Sequence, residues 1–506
     1  MQASPRVVAA PAGSVFRPAF VLMSGRALGF VAAFAIPVVL ARALDQSDFG
    51  TYKQLFLIFS TLYGVAQLGM AEGLFYFLPA APRNGGKYVL NAALVLAGAG
   101  AVCAAALWSG QASVAHWLNN DALGGYVPLI GLFLLLMLVS TPLEIAMIAR
   151  KRHLHASGAY AISDLARAAL LVVPVLAFGG LQGLMLGAVA FALLRLGAAL
   201  FYLAREFRGE FTPDAGLLRA QFAYAAPFAL YVLIDVAQTN LHLYAVSARF
   251  DAATFAVYAV GCLSIPFVDF LTGATANVMM VRMREDLLTG QSEPVLALWR
   301  DTTRKLALLL VPLVGGLITL AHELIVGLFT AKYAASVPVF IVSTLTILCS
   351  TVPTDAVLRV YAQIRFLMWL SVVKLVLIAV TISSFLAVFG LYGAVLATLT
   401  ALVVTKAIAL VRIRTVMHTR FTRVLPWRAL ASILALGAAA ALPALAVKSA
   451  LTHANLVFTL ATTGSIYAAS YAGLLWRCGP LSAAEKRALL DWAQRPLAGV
   501  RRSAGW

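Results

Sequence analysis

The chain has 506 residues, of which 62% are hydrophobic and only 11% charged, against about 25% charged in an average soluble domain. No soluble fold of this length hides that much apolar surface, so composition excludes a soluble protein and assigns an all-α polytopic membrane protein. The net charge of +18 belongs to the inner loops of such a protein, which accumulate Lys and Arg. It does not indicate nucleic acid, because the basic residues are scattered over many loops instead of forming one patch.

Residues 1–17 lack a short apolar core with a cleavage site and read as a cytosolic tail ahead of an uncleaved span. Hydropathy then predicts about fourteen spans, at 18–41, 50–78, 88–110, 124–149, 157–178, 182–204, 219–247, 254–281, 303–328, 336–358, 366–389, 391–415, 427–447 and 455–476. Of the 38 basic residues, 28 fall on the tails and the loops of one side, five on the opposite loops (Arg42, Lys53, Arg249, Lys332 and Lys448) and five inside spans. That asymmetry places both termini in the cytoplasm of a cell whose inner membrane holds the chain. The longest inner loop, Arg282 to Arg304, has room for a short helix. Beyond Leu481, Ser482 and Glu485 form a capping box, and Leu489, Leu490 and Trp492 beside Lys486, Arg487 and Arg495 suit an interfacial helix or a frayed tail. Cys103, Cys262, Cys349 and Cys478 are far apart and form no CxxC pair, so they read as packing residues.

The chain repeats itself. Ala41-Arg42-Ala43-Leu44-Asp45 with Phe49 and Tyr52 matches Ala248-Arg249-Phe250-Asp251 with Phe255 and Tyr258. Ser140-Thr141-Pro142-Leu143-Glu144 matches Ser350-Thr351-Val352-Pro353-Thr354-Asp355, and Gly180-Leu181-Gln182-Gly183 matches Gly390-Leu391-Tyr392-Gly393. The three offsets lie between 206 and 211 residues, which covers six spans, so the halves have parallel topology. The expected domains are an N-lobe over 18–204, a C-lobe over 205–415, two further spans within 416–476 and a basic tail from 477 to 506. Paired lobes of this kind are a transporter architecture, with substrate expected between them.

Ionisable groups at membrane depth are expensive and tend to be functional. The five basic residues are Arg26, Arg167, Arg195, Lys374 and Lys406. Each lies roughly 13–17 Å from the inner end of its span at 1.5 Å per residue. They suit the lining of a cavity for a phosphate or acidic sugar, Arg as a bidentate partner and Lys as a point charge. Internal pairing is the structural alternative, and Asp164 stands three residues from Arg167 on one helix face. The acids are Glu72, Glu144, Asp164, Asp235, Asp269 and Asp355. Of these, Asp235, Asp269 and Glu72 are candidates for taking up H+ or Na+, while a structural polar cluster is the alternative for Asp235, Gln238 and His242 on one helix face. Pro37, Pro142, Pro174, Pro227, Pro266, Pro312 and Pro353 are expected to bend their helices. The sequence holds no Walker loop, GxSxG or HExxH, and its seven histidines have no metal spacing.

These residues carry a resemblance. Ser24-Gly25-Arg26-Ala27-Leu28-Gly29-Phe30, Leu40-Ala41-Arg42-Ala43-Leu44, Asp48-Phe49-Gly50-Thr51-Tyr52 and Leu68-Gly69-Met70 resemble the opening of Wzx-type polysaccharide flippases. These belong to the multidrug/oligosaccharidyl-lipid/polysaccharide exporter superfamily. Leu328-Phe329-Thr330-Ala331-Lys332-Tyr333 and Leu391-Tyr392-Gly393-Ala394-Val395-Leu396-Ala397-Thr398 resemble second-lobe stretches of the same family, so the likeness runs from about residue 17 to 415. It implies fourteen spans and no cofactor. It also implies flipping of an undecaprenyl-diphosphate-linked oligosaccharide to the periplasmic leaflet by alternating access. Arg26 then occupies the basic position after the first-span serine of relatives, and Ala71-Glu72-Gly73 is similar to the same relatives. A second arginine found six residues later in lipid II flippases is Ala32 here, which argues against a peptidoglycan precursor as substrate. The implied partners are the polyprenyl-diphosphate-linked oligosaccharide, membrane lipids, a polysaccharide polymerase and a chain-length regulator. The competing expectations are a multidrug/cation antiporter of the same superfamily, which favours acidic cavities, and an integral-membrane polymerase or ligase, which usually carries a long external loop.

Overall fold

The structure, a computed structural model, describes residues 29, 31, 34–80, 84–290, 292–451, 454–481 and 485–487; of His153 and Ser292 only the backbone is described. The described residues are helical and contain no strand, and they divide into two compact units, 1–259 and 260–506.

In the first unit, α1 (Phe34–Ala43) leads through the Asp45 cap, which accepts from the amide of Asp48 at 2.7 Å, into α2 (Gln46–Ala66) and α3 (Met70–Ala80). These two form one span bent by 44°. The bend falls where Leu68 and Gly69 have positive φ, at 50° and 69°. A β-carbon on Gly69 would run into the carbonyl of Ala225, so this turn needs both the freedom and the small size of glycine. Next come α4 (Gly85–Ser109), α5 (Gln111–Trp117), α6 (Val127–Ser140), α7 (Pro142–Ala149), α8 (His153–Phe178), α9 (Gly180–Glu206) and α10 (Ala215–Arg249). Pro142, without an N–H, separates α6 from α7 at Thr141. Pro174 likewise cannot donate to the carbonyl of Leu170, and Gly187 of α9 backs directly onto that carbonyl, closing α8 on α9.

Helix α10 lies along α2, α3 and α4. Its N-cap Asp214 accepts from the amides of Gly216 and Leu217 at 3.0 and 3.1 Å. Gln221 donates to the carbonyl of Tyr88 and Asn240 to Thr61. Gln54 of α2 donates to Ser247 at 2.8 Å and to the carbonyl of Leu118 at 3.1 Å, and accepts from Asn120 at 2.6 Å. A buried polar cross-link of this kind fixes register between helices whose other contacts are non-directional. The apolar core beside it contains Met70, Leu74, Leu96, Leu134, Leu138, Ala146 and Phe207.

The second unit follows the same order: α11 (Ala252–Gly261), which spans the division, α12 (Pro266–Leu288), α13 (Ser292–Thr319), α14 (Ala321–Phe329), α15 (Val337–Cys349), α16 (Thr354–Val360), α17 (Ile364–Phe389) and α18 (Gly393–Val416). Helices α11 and α12 again form a bent span, at 45°, broken ahead of Pro266. The α15–α16 break precedes Thr354 at Pro353, as the α6–α7 break precedes Pro142. A short α19 (Phe421–Val424) leads to α20 (Trp427–Ala450) and α21 (Leu456–Cys478). Both of these dock on α13, with Tyr467 against Gly315 and Gly437.

Among the described residues nine helices are long and apolar enough to cross a membrane, or eleven if each bent pair is one span, where the sequence predicts fourteen. One of the nine runs 53 residues from Ile364 to Val416, roughly 80 Å at 1.5 Å per residue and too long for one crossing. It is two helices, α17 and α18, folded against each other at Gly390. Helix α21 has the length of a span but is diluted by Thr, Ser and Tyr, and most of the expected span 18–41 lies outside the described residues.

Candidate functional site

Where α6 gives way to α7, two side chains face α9. Arg195 of α9 donates through Nη2 to Oε2 of Glu144 at 2.7 Å and through Nε to Ser140 at 3.1 Å. Its Nη1 donates to Ser163 of α8 at 2.8 Å and also stands 2.7 Å from Oε1 of Glu144, in ionic contact though not aligned for a hydrogen bond. The Glu144 side chain is 4% exposed and that of Arg195 13%. The proline break places Glu144 here: α7 restarts at Pro142, and its third residue is the acid. A fork-to-carboxylate pair with hydroxyls on the remaining donors is the geometry in which a buried ion pair holds. Arg195 is thus engaged through all three of its nitrogens within the unit, and Tyr63 extends the polar cluster through Thr141 at 3.0 Å.

The second unit carries the counterpart 211 residues on. Glu144 corresponds to Asp355 and Arg195 to Lys406. Lys406 Nζ donates to Thr354 Oγ1 at 2.9 Å and to the carbonyl of Val352 at 3.2 Å, with Asp355 Oδ1 at 3.7 Å. The lysine side chain is 22% exposed and the aspartate 63%. This version is looser: a point charge replaces the planar fork, and its acid faces outward. Ser163, one of the arginine's partners, corresponds by the same offset to Lys374, which is half-buried on α17.

The remaining candidates are dispersed. Arg167 pairs with Asp164 at 2.9 Å, three residues apart on α8, and is one third exposed. The Asp164 carboxylate also lies against Gly29, where a β-carbon would strike it. Arg26 lies outside the described residues. Asp235 on α10 accepts from Gln238 at 2.8 Å, while His242 turns to Tyr258 at 2.7 Å, so the polar face of α10 splits into two pairs. Glu72 and Asp269 are exposed, and each sits in the first turn of the helix that follows a bend, α3 and α12. Among the described residues no cluster of His, Cys, Asp and Glu could hold a metal.

The arrangement thus brings together Arg195 with Glu144 and Lys406 with Asp355, and leaves Arg167 with its helix neighbour. Ser140, Ser163 and Thr354 complete the two clusters and are not evident from hydropathy. The repeat signals the charged members alone: the 211-residue offset that takes Glu144 to Asp355 also takes Arg195 to Lys406.

A family model described as polysaccharide biosynthesis protein matches residues 39–338. The EPS I polysaccharide export inner membrane protein EpsE of Ralstonia nicotianae is 25% identical over 283 residues, which are 51% of this chain and 64% of that protein's length. Among solved structures, the lipid II flippase MurJ in an inward closed conformation superposes with a TM-score of 0.63 at 13% identity, covering 90% of this chain and 97% of that one. A multidrug resistance MATE family transporter in an inward-facing conformation gives 0.57 at 14% identity, covering 79% of this chain and 99% of the other.

Proposed function

The chain belongs to the polysaccharide biosynthesis protein family, and from that premise we propose that this multi-pass membrane protein is a flippase. Its proposed cargo is a polyprenyl-diphosphate-linked oligosaccharide repeat unit, carried from the cytoplasmic leaflet of the inner membrane toward polysaccharide assembly. Both termini then lie in the cytoplasm, and a polymerase and chain-length regulator consume the product. The observation that carries this reading is the retention of cations at mid-span depth in partly exposed positions of both units: Arg167, Lys374 and Lys406. Each is costly at membrane depth and only partly shielded, so an anionic headgroup can approach it beside its partner within the protein. With Arg26 they are the proposed contacts to the diphosphate. Arg195, held by Glu144 and two serines, is a positioning residue in this account. Glu72, Asp235 and Asp269 are the proposed seats of a coupling H+ or Na+, with the exposed pair at the bends accessible to the ion.

Arg26→Ala or Lys374→Ala introduced into the producing cell tests the reading. Polysaccharide export is expected to fall to background while the amount of protein in the membrane is unchanged. Normal export in both variants contradicts it. The likeness to a multidrug transporter and the exposed acids at the bends support a second reading, a multidrug/cation antiporter. Its signature is drug hypersensitivity of a deletion strain whose polysaccharide export is intact.

A further inference from the structure

The second unit contains a cavity of about 1430 Å3 that no part of the transport reading uses. It opens among the C-terminal end of α12, the N-terminal half of α13, Tyr361 and the connection from α18 to α20. These are the loops that the charge asymmetry assigns to the cytoplasm. Arg300, Arg420, Arg423, Arg428 and His418 line it, against Glu293 as the one acid among the described residues. All four arginines are exposed, and none makes an ion pair among the described residues.

Some inner-side cations are neutralised within the protein: Arg150 and Arg152 by Glu206, Lys87 by Asp214, and Arg304 and Lys305 by Asp301. Others, such as Arg282 and Arg284, are exposed along one helix. The cavity differs in gathering four arginines from separate segments around one volume, which leaves them to an external anion. Their platform is fixed. Trp299, fully buried, donates its indole N–H to the carbonyl of Val424 at 2.8 Å and so pins the end of α19, between Arg423 and the buried Leu425 in the chain. The rim carries Phe421 and Trp427, exposed by 44% and 41%, with ring centroids 5.5 Å apart and the Trp427 indole donating to the carbonyl of Phe421. Exposed aromatics with a polar end belong at the headgroup level of a bilayer. Arginines beneath them offer forked donors to phosphate oxygens, and basic pockets between helices on this side of a membrane are sites for acidic lipid headgroups.

We propose that the α13–α19–α20 cavity is a binding site for the phosphate of an anionic lipid headgroup in the cytoplasmic leaflet. Two lipids share that chemistry, a polyprenyl diphosphate and an acidic phospholipid, and the cavity's volume admits either headgroup. The proposal stands whether or not the chain transports anything.

The test is binding to the purified full-length protein in nanodiscs, with cardiolipin, undecaprenyl diphosphate and zwitterionic phosphatidylethanolamine as separate probes. At least one of the first two is expected to bind in preference to phosphatidylethanolamine. The triple variant Arg420→Gln/Arg423→Gln/Arg428→Gln, all at exposed positions, is expected to weaken that binding at least tenfold. Replacing the same residues by Lys is expected to keep part of it. Stronger retention of the diphosphate marks a loading site for cargo, and stronger retention of cardiolipin marks a resident lipid; each supports the proposal. Unchanged binding in the triple Gln variant overturns it. So does an equal loss in the control Arg282→Gln/Arg284→Gln, which removes inner-side charge outside this cavity. Because no transport is measured, failure here and failure of the flippase reading are separate results.

Discussion

Glu144 and Arg195 meet as a buried, two-pronged ion pair across the α6–α7 break, and Asp355 and Lys406, each 211 residues further on, meet across the α15–α16 break. Positions related by one offset thus hold an ion pair in two strengths. The first is enclosed, with Arg195 donating to Glu144, Ser140 and Ser163, whereas the second has an exposed acid and a point charge held by Thr354 and the carbonyl of Val352. The first suits a rigid tie between helices, and the second leaves a cation able to change partners.

Removing one partner of an enclosed pair leaves an uncompensated charge, at a cost of about 3–5 kcal/mol. Arg195→Ala and Glu144→Gln are therefore expected to lower the melting temperature of the detergent-purified protein markedly. The double variant Glu144→Gln/Arg195→Met, which leaves no orphaned charge, is expected to recover part of the loss. Equal melting in wild type and Arg195→Ala contradicts the tie.

Lys406→Ala separates the two roles. Its acid is 63% exposed and is solvated after the change, and such pairs contribute only about 0–1 kcal/mol. Melting is expected to move little while polysaccharide export drops severalfold. A large fall in melting temperature with normal export would place Lys406 beside Arg195 as a structural residue.

Helix packing supplies a third check. Gly187 backs onto the carbonyl of Leu170, freed by Pro174, so a methyl there forces α8 and α9 apart. Overpacking of this kind costs about 1–3 kcal/mol, and Gly187→Ala is expected to reduce melting accordingly. Gly197→Ala, on the same helix with open space around it, is expected to be neutral.

The fourth concerns pH. The amide of Leu217, ahead of Lys87 and the amide of Gly216, holds the Asp214 carboxyl below the usual carboxylate range. A depressed folded-state value means that the cap's contribution is present above the unfolded value, about 3.9, and is lost as pH falls through the folded one. Hydrogen exchange at the amides of Gly216 and Leu217 is expected to accelerate only in that acidic window. In Asp214→Asn, which keeps an acceptor but does not titrate, the acidic transition is expected to disappear. An identical transition in that variant refutes the assignment.

Much of this architecture was legible because membrane helices announce themselves by length and polarity, and because the repeat preserves offsets between units. The Asp164–Arg167 pair was legible too, since three residues on a helix share a face. Arg195 was legible as an anomaly but not as a tie: its acid lies 51 residues away on another helix, and hydropathy carries no information about which helices touch. The bend at Leu68–Gly69 is illegible because apolar content does not change across it, whereas the one ahead of Pro266 is signalled by its proline. The basic cavity was illegible for a different reason. Its arginines come from separate loops, each of which alone is ordinary inner-side charge.

The central claim, that the chain moves an anionic lipid-linked sugar across a bilayer, is tested most directly by reconstituting the purified protein in vesicles with polyprenyl-diphosphate-linked oligosaccharide. The measurement is the fraction of sugar that becomes accessible from the opposite leaflet to an impermeant sugar-modifying enzyme. The account predicts translocation by the wild type, with Lys374→Ala reduced to the level of protein-free vesicles and Lys406→Ala reduced severalfold. Translocation that is no faster with the wild-type protein than without it contradicts the account.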